Sequence, residues 1–321
     1  LARVVVDELI RGGVRHAVVA PGSRSAPLAL ALHHRSEIAS HVEIDERSAG
    51  FLAVGIAKAS GKPAVVVCTS GTAAVNLHPA VVEASHSRTP MLVLTADRPP
   101  ELRDTGANQV IDQAGLYGGV VRWYAELEAP GRRVGAAGYW RSVVARALAE
   151  AVGRPAGPVH VNVPLRVPLE VDDHPDWIEP LDGRADDQPW ITRTNDLALP
   201  AATTVSDVID LVVMHERGVL VLGDVEVDGT AAAGFAAASG WPVLAEPQSN
   251  ARTGDHVVST ADLLLADDGF ATAHVPDVAL VVGRSVLARS VRRWLSVVPH
   301  AVLIDADGAW LDPLRSVERI V

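Results

Sequence analysis

The sequence predicts an α/β protein made of two doubly wound parallel-sheet domains, and three observations carry that prediction. Short β-branched runs alternate with stretches of helical periodicity, the runs are largely apolar on both faces, and the pattern breaks once and then restarts. The 321 residues, 48% hydrophobic and 21% charged, suffice for two cores.

The first domain spans 1–170. Its strands are read in HAVVA (16–20), SHVEI (40–44), PAVVVC (63–68), PMLVLTA (90–96) and PVHVNV (158–163), where Val, Ile and Leu suit a sheet covered on both sides. Between them FLAVGIAKAS and YWRSVVARALAEA repeat apolar residues at helical spacing. From 171 to 202 the chain is rich in Pro and Asp without apolar periodicity, and is read as a linker. The second domain, 203–321, runs through the helix VSDVIDLVVMH, the strand GVLVLGD, the helix GTAAAGFAAAS, the strands WPVLAE and DVALVVG, the helix SVLARSVRRWL and the strand AVLIDAD.

Composition narrows the function. No apolar run approaches the roughly 18 residues that cross a bilayer, so no membrane insertion is expected. The formal charge of −11 comes without a Lys/Arg block, which argues against nucleic acid or an anionic membrane as partner. The single cysteine, Cys68, lies inside PAVVVC and reads as a buried thiol in a reducing compartment, hence a cytoplasmic location. The opening LARVVVDEL has neither an initiator Met nor a signal-type segment, as expected for the inside of a longer reading frame.

Ligands of an open parallel sheet collect beyond the carboxyl ends of its strands. PGSRSAP follows the first strand, DERSAG (45–50) the second, TSGTAA (69–74) the third and ADRPPELRDTGANQ (96–109) the fourth, so four unusual turns share one edge. Glu46 closes what reads as a buried strand and opens a helix. It is either a first-turn carboxylate favoured by the helix dipole or a carboxyl group that shares a proton with a ligand nitrogen. Asp45 and Arg47 read as solvent-facing or helix-end residues. Ser23, Ser25, Thr69, Ser70 and Thr72 each suit a helix cap. Arg24 does not, because a cap needs no guanidinium, whereas a guanidinium can fork onto a carboxylate. Arg98 occupies a comparable place, and two cations could converge there on one anionic ligand.

Other chemistries fail on spacing. The twelve histidines show no HxxxH or HExxH pair, and one cysteine cannot build a zinc site, so no transition-metal site is expected. TSGTA lacks the order of a nucleophile elbow, and GSRSAPLAL is neither a P-loop nor a dinucleotide fingerprint.

On these residues the sequence resembles the thiamine-diphosphate enzymes, and within them it is similar to the MenD family of 2-succinyl-5-enolpyruvyl-6-hydroxy-3-cyclohexene-1-carboxylate synthases. PGSRSAPLAL, IDERSAGFLAVGIAK, TSGTAAVNLHPAVVEA, LTADRPPELRDTGANQ, PVLAEPQSNARTGD and DPLRSVERIV look like that family in order and spacing. The resemblance implies a pyrimidine-binding domain and a central domain here. It also implies a third, diphosphate-binding domain with a GDG…N metal signature, which these residues lack. GDVEVDG at 223 with Asn250 mimics that signature, but Val225 replaces its second Gly, so no magnesium is expected there.

The same resemblance implies thiamine diphosphate as cofactor, with Mg²⁺ held by the missing domain. Glu46 would contact N1′ of the aminopyrimidine, and Thr69, Ser70, Gly71 and Thr72 would line the cofactor. Ser23, Arg24, Arg98 and Gln109 would face the isochorismate carboxylates with Asn108 nearby. Arg289 would reach in from the central domain, beside Ser290 where the family has a second basic residue. The implied reaction joins 2-oxoglutarate, with loss of carbon dioxide, to isochorismate in menaquinone biosynthesis. A homodimer or homotetramer is implied, and the chain alone is expected to be inactive. An acetolactate-synthase-like enzyme and a non-catalytic binding or regulatory module are the competing readings.

Overall fold

The computed structural model describes residues 1–169, 178–194, 200–225, 228–284 and 286–321. The chain forms two compact units, Leu1–Asn195 and Asp196–Val321.

The first unit runs α1 (Ala2–Arg11), β1 (His16–Val19), α2 (Ala26–His33), β2 (Ala39–Val42), α3 (Glu46–Ser60), β3 (Ala64–Cys68), α4 (Thr72–Asn76), α5 (His78–His86), β4 (Met91–Asp97), β5 (Trp123–Glu126), α6 (Ala136–Ala151) and β6 (Pro158–Pro164). Its six strands are parallel in the order β2-β1-β3-β4-β6-β5. Successive strand residues point to opposite faces, so each central strand feeds two cores. Val65, Val67, Leu92 and Leu94 pack with Leu9, Leu28 and Trp140 on one face. Val66, Val93 and Met91 pack with Ala53, Leu77 and Val81 on the other. Each buried Val or Leu contributes on the order of 1.5–3 kcal/mol relative to exposure. This is the doubly wound parallel arrangement that the apolar runs predict.

Two strands differ from the reading of the sequence. SHVEI is not a buried strand: β2 lies at the sheet edge, Val42 is 70% exposed, and Ile44 falls beyond the strand at 86%. Apolar letters alone could not tell an edge from a centre. β5, the opposite edge, escapes the sequence pattern because its four residues are all half-buried.

α1 and α6 are joined by a buried ion pair: Arg141 Nη1 donates to Glu8 Oε2 at 2.8 Å, and Nη2 to Asp7 Oδ2 at 2.8 Å. Part of the stretch read as a linker is bonded to this unit. Glu179 accepts from the Gly135 and Ala137 amides at the start of α6, Arg141 donates to Leu181 O, Arg11 to Arg184 O, and the Trp190 amide to Glu8 Oε1. Residues 171–177 and 195–199 of that stretch lie outside the described residues.

The second unit runs α7 (Ala202–Met214), β7 (Gly218–Leu222), α8 (Gly229–Ser239), β8 (Val243–Ala245), α9 (Ala261–Leu264), α10 (Asp268–Ala273), β9 (Val278–Val282), α11 (Arg289–Leu295), β10 (His300–Ile304) and β11 (Arg319–Ile320). Its parallel order is β11-β10-β9-β7-β8, again with a core on each face. Gly223 and Asp224 of the metal-signature mimic have a structural reason. Asp224 bridges Arg284 in antiparallel fashion, and a Cβ on Gly223 would stand 1.7 Å from Arg284 O, so only glycine fits.

Candidate functional site

In the first unit β1, β2, β3 and β4 are parallel neighbours, so their carboxyl ends and the four unusual turns lie along one edge. The turns touch. Gly22, after β1, lies so close to Thr69, after β3, that a Cβ at Gly22 would stand 2.4 Å from Thr69 Cβ. Ser70 and Gly71 are buried and lie against the loop that follows β4.

Ser70 holds that contact. Its Oγ donates to Gln109 O at 3.3 Å and accepts from Arg98 Nη1, while Gln109 Nε2 donates back to Ser70 O at 2.8 Å. Arg98 Nη1 also reaches Gln109 O at 3.2 Å. Gln109 has a φ of +58°, a left-handed conformation uncommon for a residue of this kind. Gly71, with φ +80°, presents its bare Cα to the Gln109 side chain and carbonyl. Asn108 and Ser23 are exposed beside these loops, as is Thr72, the first residue of α4.

The caps expected of the serines and threonines do not form. Ser25 stands at the N-cap of α2 but donates its Oγ to Gly22 O at 3.0 Å, and α4 is capped at Gly71 without a side-chain bond. The Ser25 and Ser70 oxygens are drawn into the turns themselves, which compete with the helix ends for the same groups. The one cap formed at this edge is Asp45 on α3, accepting from the Ser48 amide at 2.8 Å. Asp45 is thus a helix-end residue, and Arg47 is exposed.

Arg24 is half-buried and donates from Nη1 to Leu165 O, just past β6, at 2.8 Å. Its Nε is buried with no hydrogen-bond partner among the described residues. Burial and then the charge of Arg98 hold the Arg24 guanidinium below its ordinary value, with Asp97 opposing. Glu46 opens α3 half-buried rather than in bulk solvent. Its charge reaches Cys68 at the end of β3, whose wholly buried thiol is pushed up first by burial and then by that carboxylate. Arg289, exposed at the start of α11, belongs to the second unit.

Beneath these turns lies a buried polar cluster that the sequence reading missed. Asp97 accepts from the Arg98 amide at 2.7 Å, from Arg103 Nη2 at 3.1 Å and from Asn162 Nδ2 at 2.9 Å. Asn162 Nδ2 also donates to Glu126 Oε2, and Arg103 pairs with the same oxygen at 2.7 Å. Asn162 Oδ1 accepts from Thr95 Oγ1 at 2.8 Å and from Gln113 Nε2 at 2.9 Å. Thr95, having spent its proton, accepts from His160 Nε2 at 2.7 Å, which fixes the Nε2–H tautomer; burial pulls this histidine down to about 3. The available signal was the His and Asn inside PVHVNV: polar residues in a buried strand need partners. Among the described residues no three His, Cys, Asp or Glu side chains gather to hold a metal ion.

Residues 1–116 match the thiamine pyrophosphate enzyme, N-terminal TPP binding domain, and residues 176–321 match the middle domain of thiamine pyrophosphate enzymes. A 2-succinyl-5-enolpyruvyl-6-hydroxy-3-cyclohexene-1-carboxylate synthase of Thermobifida fusca is 49% identical over 100% of this chain and 57% of its own length. Synthases of the same name from Saccharopolyspora erythraea and Geobacillus kaustophilus are 47% and 42% identical, over 99% and 100% of this chain and 57% and 56% of their own. The chain thus spans a little over half the length of these relatives.

Proposed function

Because the chain belongs to the MenD family of thiamine pyrophosphate enzymes, we propose that its first unit supplies the aminopyrimidine and isochorismate side of a synthase site. The reaction would join 2-oxoglutarate, with loss of carbon dioxide, to isochorismate. The observation that carries this reading is that Arg24 and Arg98 stand beyond the ends of β1 and β4 on one edge of the sheet, Arg24 with a buried Nε that has no hydrogen-bond partner among the described residues. Such a pair suits a ligand with two carboxylates.

The residues also suit the cofactor. Glu46 opens α3 half-buried, and its carboxylate acts on Cys68 at the end of β3, just before Thr69, Ser70, Gly71 and Thr72 turn. Thiamine diphosphate, when bound, supplies the carbanion chemistry. Glu46 would hold the proton at N1′ and so tune the pyrimidine. Ser23, Arg24, Arg98 and Gln109 would bind and orient isochorismate, with Asn108 at the exposed rim.

The diphosphate, its Mg²⁺ and most contacts to 2-oxoglutarate are assigned to residues outside these 321, so the chain by itself is expected not to turn over. A homodimer or homotetramer in the cytoplasm completes the reading, the location resting on the single buried Cys68. No helix among the described residues is long and apolar enough to cross a membrane. The test is Arg24→Ala in the complete enzyme, expected to raise the isochorismate KM about tenfold or more, as loss of a charged hydrogen bond does. Unchanged KM and kcat would remove Arg24 from the site.

A further inference from the structure

Gln113 is 1% exposed and has a use for almost every hydrogen-bonding group it carries. Its Oε1 accepts from the Gly71 amide at 2.8 Å, and its Nε2 donates to Asn162 Oδ1 at 2.9 Å and to Ala96 O at 3.3 Å. One side chain therefore ties the turn after β3 to β4 and β6. It lies four positions after Gln109, whose left-handed backbone rests on that same turn. A non-glycine residue in such a conformation is strained, and its surroundings must hold it there. The remaining ties between the two loops run through Ser70, Gln109 and Arg98, and of these Arg98 and Gln109 are at least partly exposed. Gln113 is the enclosed anchor of the set.

We propose that Gln113 is a positioning residue for isochorismate: through the Gly71 amide and Asn162 it clamps the Ser70–Gly71 turn against the loop bearing Arg98 and Gln109. The inference rests on the assignment of that loop to the acid side of the site. Gln113 touches no substrate itself. Its loss would let Gln109 relax out of its left-handed conformation and carry Arg98 with it. A displacement of this size acts on the group that the loop binds and leaves the other substrate alone.

Gln113→Met fills the same volume without any of the three hydrogen bonds, and Gln113→Asn keeps the amide but is too short to span Gly71 and Asn162 together; the second serves if the first fails to fold. In the 321-residue chain, amide hydrogen exchange at Gly71 should quicken about tenfold or more in the variant, since its partner is gone. The Val66 and Val93 amides, inside β3 and β4, should not change. In the complete enzyme the isochorismate KM should rise about tenfold while the 2-oxoglutarate KM stays within about twofold. A merely structural residue would lower kcat through loss of folded enzyme and leave that ratio fixed. Unaltered Gly71 exchange, or two KM values that move together or not at all, would overturn the proposal. A wild-type enzyme that ignores isochorismate would instead overturn the substrate assignment, and the exchange measurement would still report on the clamp.

Discussion

Gln109 covers Gly71 so closely that a methyl group on Gly71 would stand 2.8 Å from Gln109 Cγ and 3.2 Å from Gln109 O. The close approach and the φ of +80° both require glycine there. Gly71→Ala should destabilise the chain by about 1–3 kcal/mol, the cost of strained backbone together with a displaced neighbour. Urea titration of the 321-residue chain reads this directly, and an unshifted midpoint would mean that the two loops do not meet.

Glu46 opens α3 half-buried, at the strand-end edge proposed to receive the pyrimidine. In the complete enzyme Glu46→Gln, which keeps the shape and removes the acid, should slow turnover by about 10²–10⁴-fold. Near-normal rates would leave Glu46 as a dipole-matching carboxylate at the start of α3.

His160 predicts a pH dependence of stability. Burial holds it at about 3 against an ordinary 6.5, so the folded chain keeps it neutral where the unfolded chain protonates it. Its folded value is depressed, and the stability it confers is complete above pH 6.5 and falls as the pH drops from there toward 3. The slope is at most about 1.4 kcal/mol per pH unit for one proton. His160→Gln, which can still donate to Thr95, should unfold with a shallower acid dependence between pH 6.5 and 4.5. Parallel curves for the two proteins would count against a neutral His160.

Arg141 and Glu8 are each almost fully enclosed between α1 and α6. Arg141→Met strands a buried carboxylate and should cost about 3–5 kcal/mol in chemical denaturation. Adding Glu8→Leu should restore a substantial part of that loss, because an apolar pair no longer needs a counter-charge. A single variant as stable as wild type would show that the pair carries no such constraint.

The runs around β1, β3, β4 and β6 betrayed themselves because strands buried on both faces tolerate few polar residues. The edges did not: β2 mixes Ala and Val with Ser and His and is largely exposed, and β5 is half-buried throughout, with no apolar run to mark it. Arg24, Arg98 and Glu46 were legible as candidates, since a charged residue in a strand-end turn is hard to assign to packing. Gln113 and Asp97 were not, because nothing local distinguishes them from ordinary loop and strand-end residues.

By itself, then, the sequence determined the two parallel sheets, the edge at which the unusual turns gather, and the chemical types of side chain available there. Which of those groups meet was decided only by the tertiary structure. Ser70 with Gln109, Gly71 with Gln113 and Arg24 with Leu165 are separated by 39, 42 and 141 residues. Periodicity registers neighbours along the chain, whereas a hydrogen bond across strand ends depends on the order in which the strands are laid down.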